Sequence, residues 1–329
     1  MIMKNLYLAF ITAATLSLAI TVQAQDAHLS QYASSPVLLN PALTGVIPKG
    51  DMRIAANYRS QWGSIGAGSY TTTGIAFDMP FKNRWGVGGY ATNNDLGGFM
   101  NAFNFMLSGS YLITEPGQAK YKIVTGLQAG IMLKQLDRQE LVFDSQYENG
   151  NFEEDNPSGE NFQNNSNFKP DFNWGISYIH TDQSWKVLPY VGVSAFHLSI
   201  PKEDFMGGEA DNLPIRWVFN GGGKYSINEK LNINLRGLFM MQRKAKEINF
   251  GVLSYYKINT SEYTLLVGAD VRWNDALIFN LGLKHKNITY RLSYDYTTSS
   301  LHNTSDGRGG TEISILYSPR NLRSAPKVN

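Results

Sequence analysis

Residues 121–134 of the chain read YKIVTGLQAGIMLK, and residues 288–297 read ITYRLSYDYT. Apolar and polar residues alternate in both stretches. Successive side chains of a β-strand point to opposite faces, so each stretch predicts a strand with one apolar face and one polar face. About fourteen segments of this kind, many near ten residues long, run from Met52 to Tyr317. A soluble β-sandwich shows the same alternation, but an even number of such segments is typical of an outer-membrane barrel.

The connections between these segments support the barrel. The predicted strands are 52–59, 70–79, 84–93, 99–113, 120–135, 171–182, 185–200, 214–227, 230–241, 246–258, 262–273, 276–285, 287–297 and 310–318. When the connections between strands are numbered along the chain, the long ones all have odd numbers. They are 60–69, 136–170, 201–213 and 298–309. Even-numbered connections are mostly tight, such as 81–83, 183–184 and 228–229. A barrel with both ends in the periplasm has long loops outside and short turns inside. We therefore predict an all-β fold, an antiparallel transmembrane β-barrel of about 14 strands with short periplasmic turns and long extracellular loops.

The start of the chain predicts export. Lys4 precedes an apolar run from Leu6 to Ile20, and Val22-Gln23-Ala24 is a small-residue cleavage pattern. We predict a signal peptide over residues 1–24 and a mature chain that begins at Gln25. A membrane anchor is the alternative, but a run of about fifteen residues is shorter than the roughly twenty of a spanning helix. The predicted units that follow are an N-terminal periplasmic segment or partial plug (25–50), the barrel (51–318) and a basic periplasmic tail (319–329).

The composition narrows the possible partners. Charged residues make up 17% of the chain, and the formal net charge is +2. Because no block of basic residues occurs, nucleic acid is not expected as a partner. The chain has no cysteine, which excludes disulfides and thiolate metal sites. Tryptophans near predicted strand ends suit the two membrane interfaces. These tryptophans are Trp62, Trp85, Trp174, Trp185, Trp217 and Trp273.

The polar face of the predicted strands carries charges and amides. A charge that faces lipid costs roughly 2–4 kcal/mol at the centre of the bilayer, so this face is predicted to line the lumen. The predicted lumen residues are Gln128, Lys134, Asn173, Asn232, Asn234, Arg236, Asp270, Arg272, Asn280, Lys284, Arg291 and Asp295. The opposite face is predicted to contact the lipid bilayer, with residues such as Phe105, Leu127, Leu235, Phe279 and Leu292.

Catalytic and metal-binding patterns are missing from the sequence. Its five histidines are far apart, and none has the spacing of a metal site. An outer-membrane lipase would need a serine and a histidine together at the rim of the lumen, but Ser177 and His180 have an odd separation within one strand. We therefore expect no enzyme activity and no cofactor. Calcium in loop 136–170 stays open, because residues 144–150 partly resemble a calcium-binding loop.

The segment over residues 25–45, before the first strand, lacks the alternation and contains two prolines and several amides. It either joins the signal peptide to the barrel or packs in or across the periplasmic mouth. Motif residues occur in this segment and at the end of the first strand, and they are Gln25, Asp26, Ser30, Gln31, Tyr32, Pro36, Asn40, Pro41, Ala42, Gly45, Tyr58, Arg59, Gln61 and Trp62. These motifs resemble the PorP/SprF family of the type IX secretion system in Bacteroidota.

The resemblance implies an outer-membrane barrel that assists secretion and surface attachment of a cargo adhesin of the gliding-motility type. It implies binding of the C-terminal domain of that adhesin, and further partners among the secretion components of the periplasm and outer membrane. The outer loops and the lumen residues are then the expected cargo contacts, and residues 25–50 the periplasmic contact. A passive or selective channel for small solutes is the alternative, because a barrel of this size is wide enough for a pore unless it is plugged.

Overall fold

The computed structural model describes most of the chain between Asp26 and Pro319. The described residues are 26, 28–48, 50–63, 68–117, 120–137, 141, 143–148, 151–153, 156–157, 159, 164–203, 205, 211–259 and 261–319. The predicted signal peptide, Gln25 and residues 320–329 of the predicted tail lie outside them, and so does much of the candidate calcium loop.

Fourteen strands form one closed barrel. In chain order they are β1 (Arg53–Gln61), β2 (Tyr70–Phe81), β3 (Trp85–Leu96), β4 (Met100–Leu112), β5 (Tyr121–Leu136), β6 (Ser166–His180), β7 (Val187–Phe196), β8 (Arg216–Ser226), β9 (Leu231–Gln242), β10 (Ala245–Lys257), β11 (Tyr263–Arg272), β12 (Ala276–His285), β13 (Ile288–Thr297) and β14 (Arg308–Tyr317). Each strand pairs with its neighbours in antiparallel register, and β14 closes the ring against β1, with Ile54 opposite Tyr317. The predicted antiparallel barrel is confirmed.

Two strands differ most from their predicted bounds. β6 begins earlier than residue 171, because Ser166 already pairs with Gln135 of β5. Trp174, which was expected near a strand end, therefore lies in the middle of β6. β7 ends before the predicted residue 200, because His197 has φ 61° and Ile200 has φ 46°. These left-handed conformations cannot continue a strand.

The elements outside the barrel wall are short. They are 3₁₀ turns at Tyr32–Ser34, Pro41–Leu43 and Asp144–Gln146, the helices α1 (Pro36–Leu39) and α2 (His302–Ser305), and two-stranded ribbons that pair Tyr147–Glu148 with Asn151–Phe152 and Lys202–Glu203 with Asp211–Asn212. Among the described residues, no helix has the length and hydropathy needed to cross a bilayer.

The barrel has two distinct mouths. β1 starts and β14 ends at the same mouth, where the backbone nitrogen of Asp51 donates to the carbonyl oxygen of Pro319 at 2.9 Å. Both ribbons lie in loops at the opposite mouth, after β5 and β7. Since chain ends and short turns face the periplasm in such barrels, we name these the periplasmic mouth and the outer mouth.

Exposure follows the alternation of the strands. Leu127 is 64% exposed, whereas its neighbour Gln128 is 2% exposed. The outward side chains are largely apolar, and buried charges such as Arg59 and Asp295 point inward. The outer surface therefore suits hydrocarbon chains, and the polar side chains are collected in the interior.

Candidate functional site

The lumen contains the chain's own N-terminal part. We call residues 26–45 the lumenal segment, of which residues 26 and 28–45 are described. Ser30, Gln31, Asn40 and Thr44 are fully buried. Their partners are inward-facing groups on strands around the ring. The structure thus places this part of the predicted 25–50 unit inside the barrel.

Prolines and an asparagine shape the middle of the lumenal segment. Pro36 begins α1 and Pro41 begins the next 3₁₀ turn, positions at which the missing N–H of proline has no hydrogen bond to lose. Oδ1 of Asn40 accepts a hydrogen bond from the backbone nitrogen of Ala42 at 2.9 Å and caps that turn. Its Nδ2 donates to the carbonyl oxygen of Ile176 on β6 at 3.3 Å. The Asn-Pro-Ala motif therefore forms a turn and attaches it to the wall.

Glycines in the wall allow this close approach. A Cβ atom at Gly126 of β5 would overlap the carbonyl group of Pro41 and lie 2.6 Å from the backbone nitrogen of Ala42. A Cβ atom at Gly86 of β3 would overlap the carbonyl group of Thr44. Close backbone approach is a common reason for glycine inside a strand. The missing side chains of Gly126 and Gly86 therefore leave space on the wall for the Pro41–Thr44 backbone.

The Ser30-Gln31 pair binds the last two strands. The carboxylate of Glu312 on β14 accepts hydrogen bonds from the backbone nitrogens of Ser30 at 2.7 Å and Gln31 at 3.2 Å. Oγ of Ser314 donates to Oε1 of Gln31 at 2.6 Å, and Nε2 of Gln31 donates to Oγ of Ser293 at 3.0 Å. Hydrogen bonds to a carboxylate are among the stronger ones in proteins, so this contact holds the segment to the wall.

Tyr32 adds an apolar contact. Its ring belongs to a buried cluster with Phe196, Val218 and Leu238. The guanidinium of Arg236 lies 5.5 Å from the ring centre, within the range of a cation–π interaction. This motif residue thus joins the apolar part of the lumen to its charged part.

One ionic cluster lies on β9, β11, β12 and β13. Nε of Arg236 donates to Oδ1 of Asp270 at 2.7 Å, and the two side chains are 1% and 0% exposed. Asn280 donates to Asp270 at 2.8 Å and accepts a hydrogen bond from Arg291 at 3.0 Å. A buried charge without a partner is costly, so the loss of either Arg236 or Asp270 would leave the other charge uncompensated.

A second ionic cluster lies nearer the outer mouth. Asp295 accepts hydrogen bonds from Arg59 at 2.8 Å and from Arg272. Oγ of Ser30 donates to the same carboxylate at 2.6 Å. The lumenal segment is therefore part of the charge compensation inside the barrel.

Asp26 and His197 meet at the outer mouth. His197 Nε2 lies 2.7 Å from a carboxylate oxygen of Asp26, and its Nδ1 lies 2.7 Å from one of Asp171. Burial lowers the pKa of His197, but the charge of Asp26 and hydrogen bonds to both carboxylates outweigh it and raise this pKa to about 9. Burial raises the pKa of Asp26, but the charges of His197 and Arg216 bring it well below its ordinary value. The imidazolium is therefore the stable form of His197 at neutral pH.

These shifts predict a loss of stability in alkaline solution. The raised pKa of His197 contributes stability that is complete below its ordinary pKa of 6.5 and is lost as the pH rises through about 9. We expect the free energy of unfolding to fall by about 3 kcal/mol between pH 6 and pH 10, from the size of the pKa shift. Urea unfolding in phospholipid vesicles measures this, and His197→Gln should lack this part of the pH dependence. An equal alkaline loss in His197→Gln would contradict the assignment.

Most of the predicted lumen residues are buried inside the barrel. The buried ones are Gln128, Asn173, Asn234, Arg236, Asp270, Arg272, Asn280, Arg291 and Asp295. Lys134 and Lys284 are half-buried, and Asn232 is exposed at the periplasmic mouth. Several buried members contact the lumenal segment; Gln128, for example, donates to the carbonyl oxygen of Val37 at 2.8 Å. The structure thus gives several of these residues a partner within the chain, and their expected contact with a cargo stays a prediction.

The remaining motif residues lie at the outer end of β1. Arg59 points inward, whereas Tyr58 points outward and is 49% exposed. Gln61 is the last residue of β1, and Trp62 follows with φ 56° and its ring centre 5.2 Å from that of Tyr70. The first-strand motif thus supplies one lumen charge and one aromatic contact at the outer mouth.

Sequence reasoning missed several residues that hold the segment. Asp78 on β2 accepts from the backbone nitrogen of Gly45 at 2.7 Å and from Nε of Arg53 at 2.8 Å. Oδ1 of Asn57 accepts from Oγ of Ser35 at 2.5 Å. Alternation within the predicted strands could have placed these polar side chains inward, although it could not have named their partners.

A closed barrel with an apolar outer surface and a polar interior defines an outer-membrane β-barrel protein. Residues 21–317 match the family model described as type IX secretion system membrane protein PorP/SprF, and the chain belongs to this family. The family resemblance is therefore confirmed, and the protein is located in the outer membrane.

Solved structures with a similar fold are outer-membrane channels of low sequence identity. The CymD monoaromatic hydrocarbon channel has 10% identity and a TM-score of 0.49, covering 88% of this chain and 94% of that chain. A Pseudomonas aeruginosa FadL homologue has 10% identity and a TM-score of 0.47, covering 85% and 92%. The Pseudomonas putida toluene transporter TodX has 8% identity and a TM-score of 0.48, covering 88% and 93%. This likeness is too low to bear on function. No curated protein matches the chain.

Proposed function

We propose that the protein is a non-enzymatic partner of the type IX secretion system that binds the C-terminal domain of an exported adhesin and holds it at the cell surface. Membership of the secretion family supports this proposal. Other secretion components in the periplasm and outer membrane are the further partners. The role needs no cofactor.

The observation that carries the proposal is the filled lumen. Because the inward-facing polar residues bind the chain's own segment, the surface available to an exported protein is the outer mouth. Exposed apolar side chains lie there, among them Tyr147, Leu198, Ile200 and Leu301. The two ribbons also present strand edges, to which an extended segment of a partner can add. We therefore assign the cargo contact to the outer loops rather than to the lumen.

The channel alternative draws no support from the lumen. A pore for small solutes needs a continuous wet path between the two mouths. Here, side chains such as Ser30, Gln31 and Asn40 are fully buried within the barrel. We therefore keep the adhesin partner as the single proposed function.

The experiment that tests this proposal replaces exposed apolar residues at the outer mouth with aspartate. Ile200→Asp/Leu301→Asp should leave the barrel folded and release the adhesin from the cells. Loss of such contacts is worth about 2 kcal/mol, which lowers the affinity roughly thirtyfold. The measurements are the amount of adhesin on intact cells and the binding of its purified C-terminal domain.

A matched control places the same charges at the periplasmic mouth. Ile227 and Ile258 follow β8 and β10 and are exposed to a similar degree. Ile227→Asp/Ile258→Asp should therefore retain cargo binding. Unchanged binding by the outer-mouth variant, or an equal loss in both variants, would contradict the proposal.

A further inference from the structure

The lumenal segment crosses the barrel from one mouth to the other. At one end, Asp26 accepts a hydrogen bond from Nε2 of Gln242, the last residue of β9, at 3.2 Å. It also lies 3.4 Å from Arg216, the first residue of β8. β9 ends and β8 begins at the outer mouth. Asp26 is therefore at the cell-surface end of the lumen.

The other end of the segment lies near the periplasmic mouth. Oγ1 of Thr44 is 2.6 Å from Oγ of Ser108, and Oγ of Ser110 donates to the carbonyl oxygen of Thr44 at 2.6 Å. Both serines lie close to the periplasmic end of β4. The chain then continues to β1, which begins at the same mouth. The amino-terminal end of the segment is thus outside and its carboxyl-terminal end is inside.

We infer that residues 26–45 form a built-in stopper, threaded through the lumen with Asp26 at the cell surface, that keeps the barrel closed to solutes. Contacts along its length support this role. Glu312 holds the segment in its outer half, Asn40 holds its middle, and Asp78 holds Gly45 at the periplasmic end. The cargo proposal uses the same filled lumen, but the two are tested separately: conductance and labelling test the stopper, and adhesin binding tests the outer loops.

The wall and the stopper satisfy one another's polar groups. The carbonyl oxygen of Val37 accepts from Gln128, and the carbonyl oxygen of Leu39 accepts from Oγ of Ser194 at 2.9 Å. If the segment left, these donors and the carboxyl oxygens of Glu312 would lose their partners together. Each loss carries a cost unless water replaces the partner, so the segment remains in place under ordinary conditions.

The first test is electrical. The purified mature protein should show no stable conductance steps in planar bilayers. A variant that lacks residues 28–44 should conduct ions, because the wall alone encloses a wide lumen. Stable conductance by the unmodified protein would overturn the inference.

The second test needs no deletion and uses the absence of cysteine from the chain. A membrane-impermeant maleimide should label Asp26→Cys on intact cells, as it labels Asn274→Cys in the outer turn between β11 and β12. Asn287→Cys, in the periplasmic turn between β12 and β13, should be labelled only after the outer membrane is permeabilised. If Asp26→Cys is labelled only after the outer membrane is permeabilised, as Asn287→Cys is, the threading direction is wrong and the inference fails.

Discussion

Gly126→Val should destabilise the barrel by about 3 kcal/mol, at the upper end of the cost of overpacking a close contact. A Cβ atom at this position meets the backbone of Pro41 and Ala42, and backbone atoms cannot rotate away as a side chain can. Valine otherwise favours strands, so strand propensity opposes the expected loss and cannot cause it. Urea unfolding in vesicles, followed by tryptophan fluorescence, measures the free energy of unfolding.

Gly109→Val is the matched control. Gly109 lies on β4 opposite Val87 and Leu127, which point outward, and a Cβ atom there would have no neighbour within 4 Å. The control should be as stable as the unmodified protein. The Gly126→Val variant should also conduct ions in planar bilayers if valine displaces the stopper. Equal stability of the two valine variants would show that the segment does not press against the wall at Gly126.

Arg236→Met should cost about 3–5 kcal/mol, the usual effect of removing one partner of a buried ion pair. The Asp270 side chain has no exposure and would retain a carboxylate without its arginine. Tyr32 would lose its cation–π contact at the same time. The measurement is again the urea unfolding free energy in vesicles.

The double variant Arg236→Met/Asp270→Leu separates the charge from the packing. An apolar pair of similar volume is often as stable as a buried ion pair, so the double variant should recover much of the loss. Arg84→Met is the surface control, because the Arg84–Glu115 pair is partly exposed and such pairs contribute little to stability. A double variant as unstable as Arg236→Met would assign the loss to shape rather than to charge.

The barrel was largely predictable because the alternation of a strand has a fixed period. Arg236 and Asp270 occupy inward positions in the predicted strands, and the structure buries both. β6 and β7 were less predictable at their outer ends. There the strand length depends on pairing between Ser166 and Gln135 and on the backbone angle at His197, neither of which appears in the alternation.

The contents of the lumen were not predictable in the same way. The hydrogen bonds between Gln31 and Glu312 join residues from opposite ends of the chain. No local pattern encodes such a pair. Pro36, Asn40 and Pro41 do indicate tight turns from local chemistry, but not where those turns lie. The alternation identified the inward face but not the lumenal segment that occupies it, and the predicted cargo contacts in the lumen stay a prediction.

The contact between Ser30 and Glu312 has a consequence for biogenesis. The ribosome makes the lumenal segment before any strand and makes β14 last. Glu312 can therefore bind Ser30 only when the whole wall has been synthesised, and β14 is also the strand that closes the ring against β1. A chain truncated before residue 312 would lack part of the closing strand β14. It would also lack Glu312, which binds Ser30 of the lumenal segment. Closure of the barrel and capture of the lumenal segment thus depend on the same strand, β14.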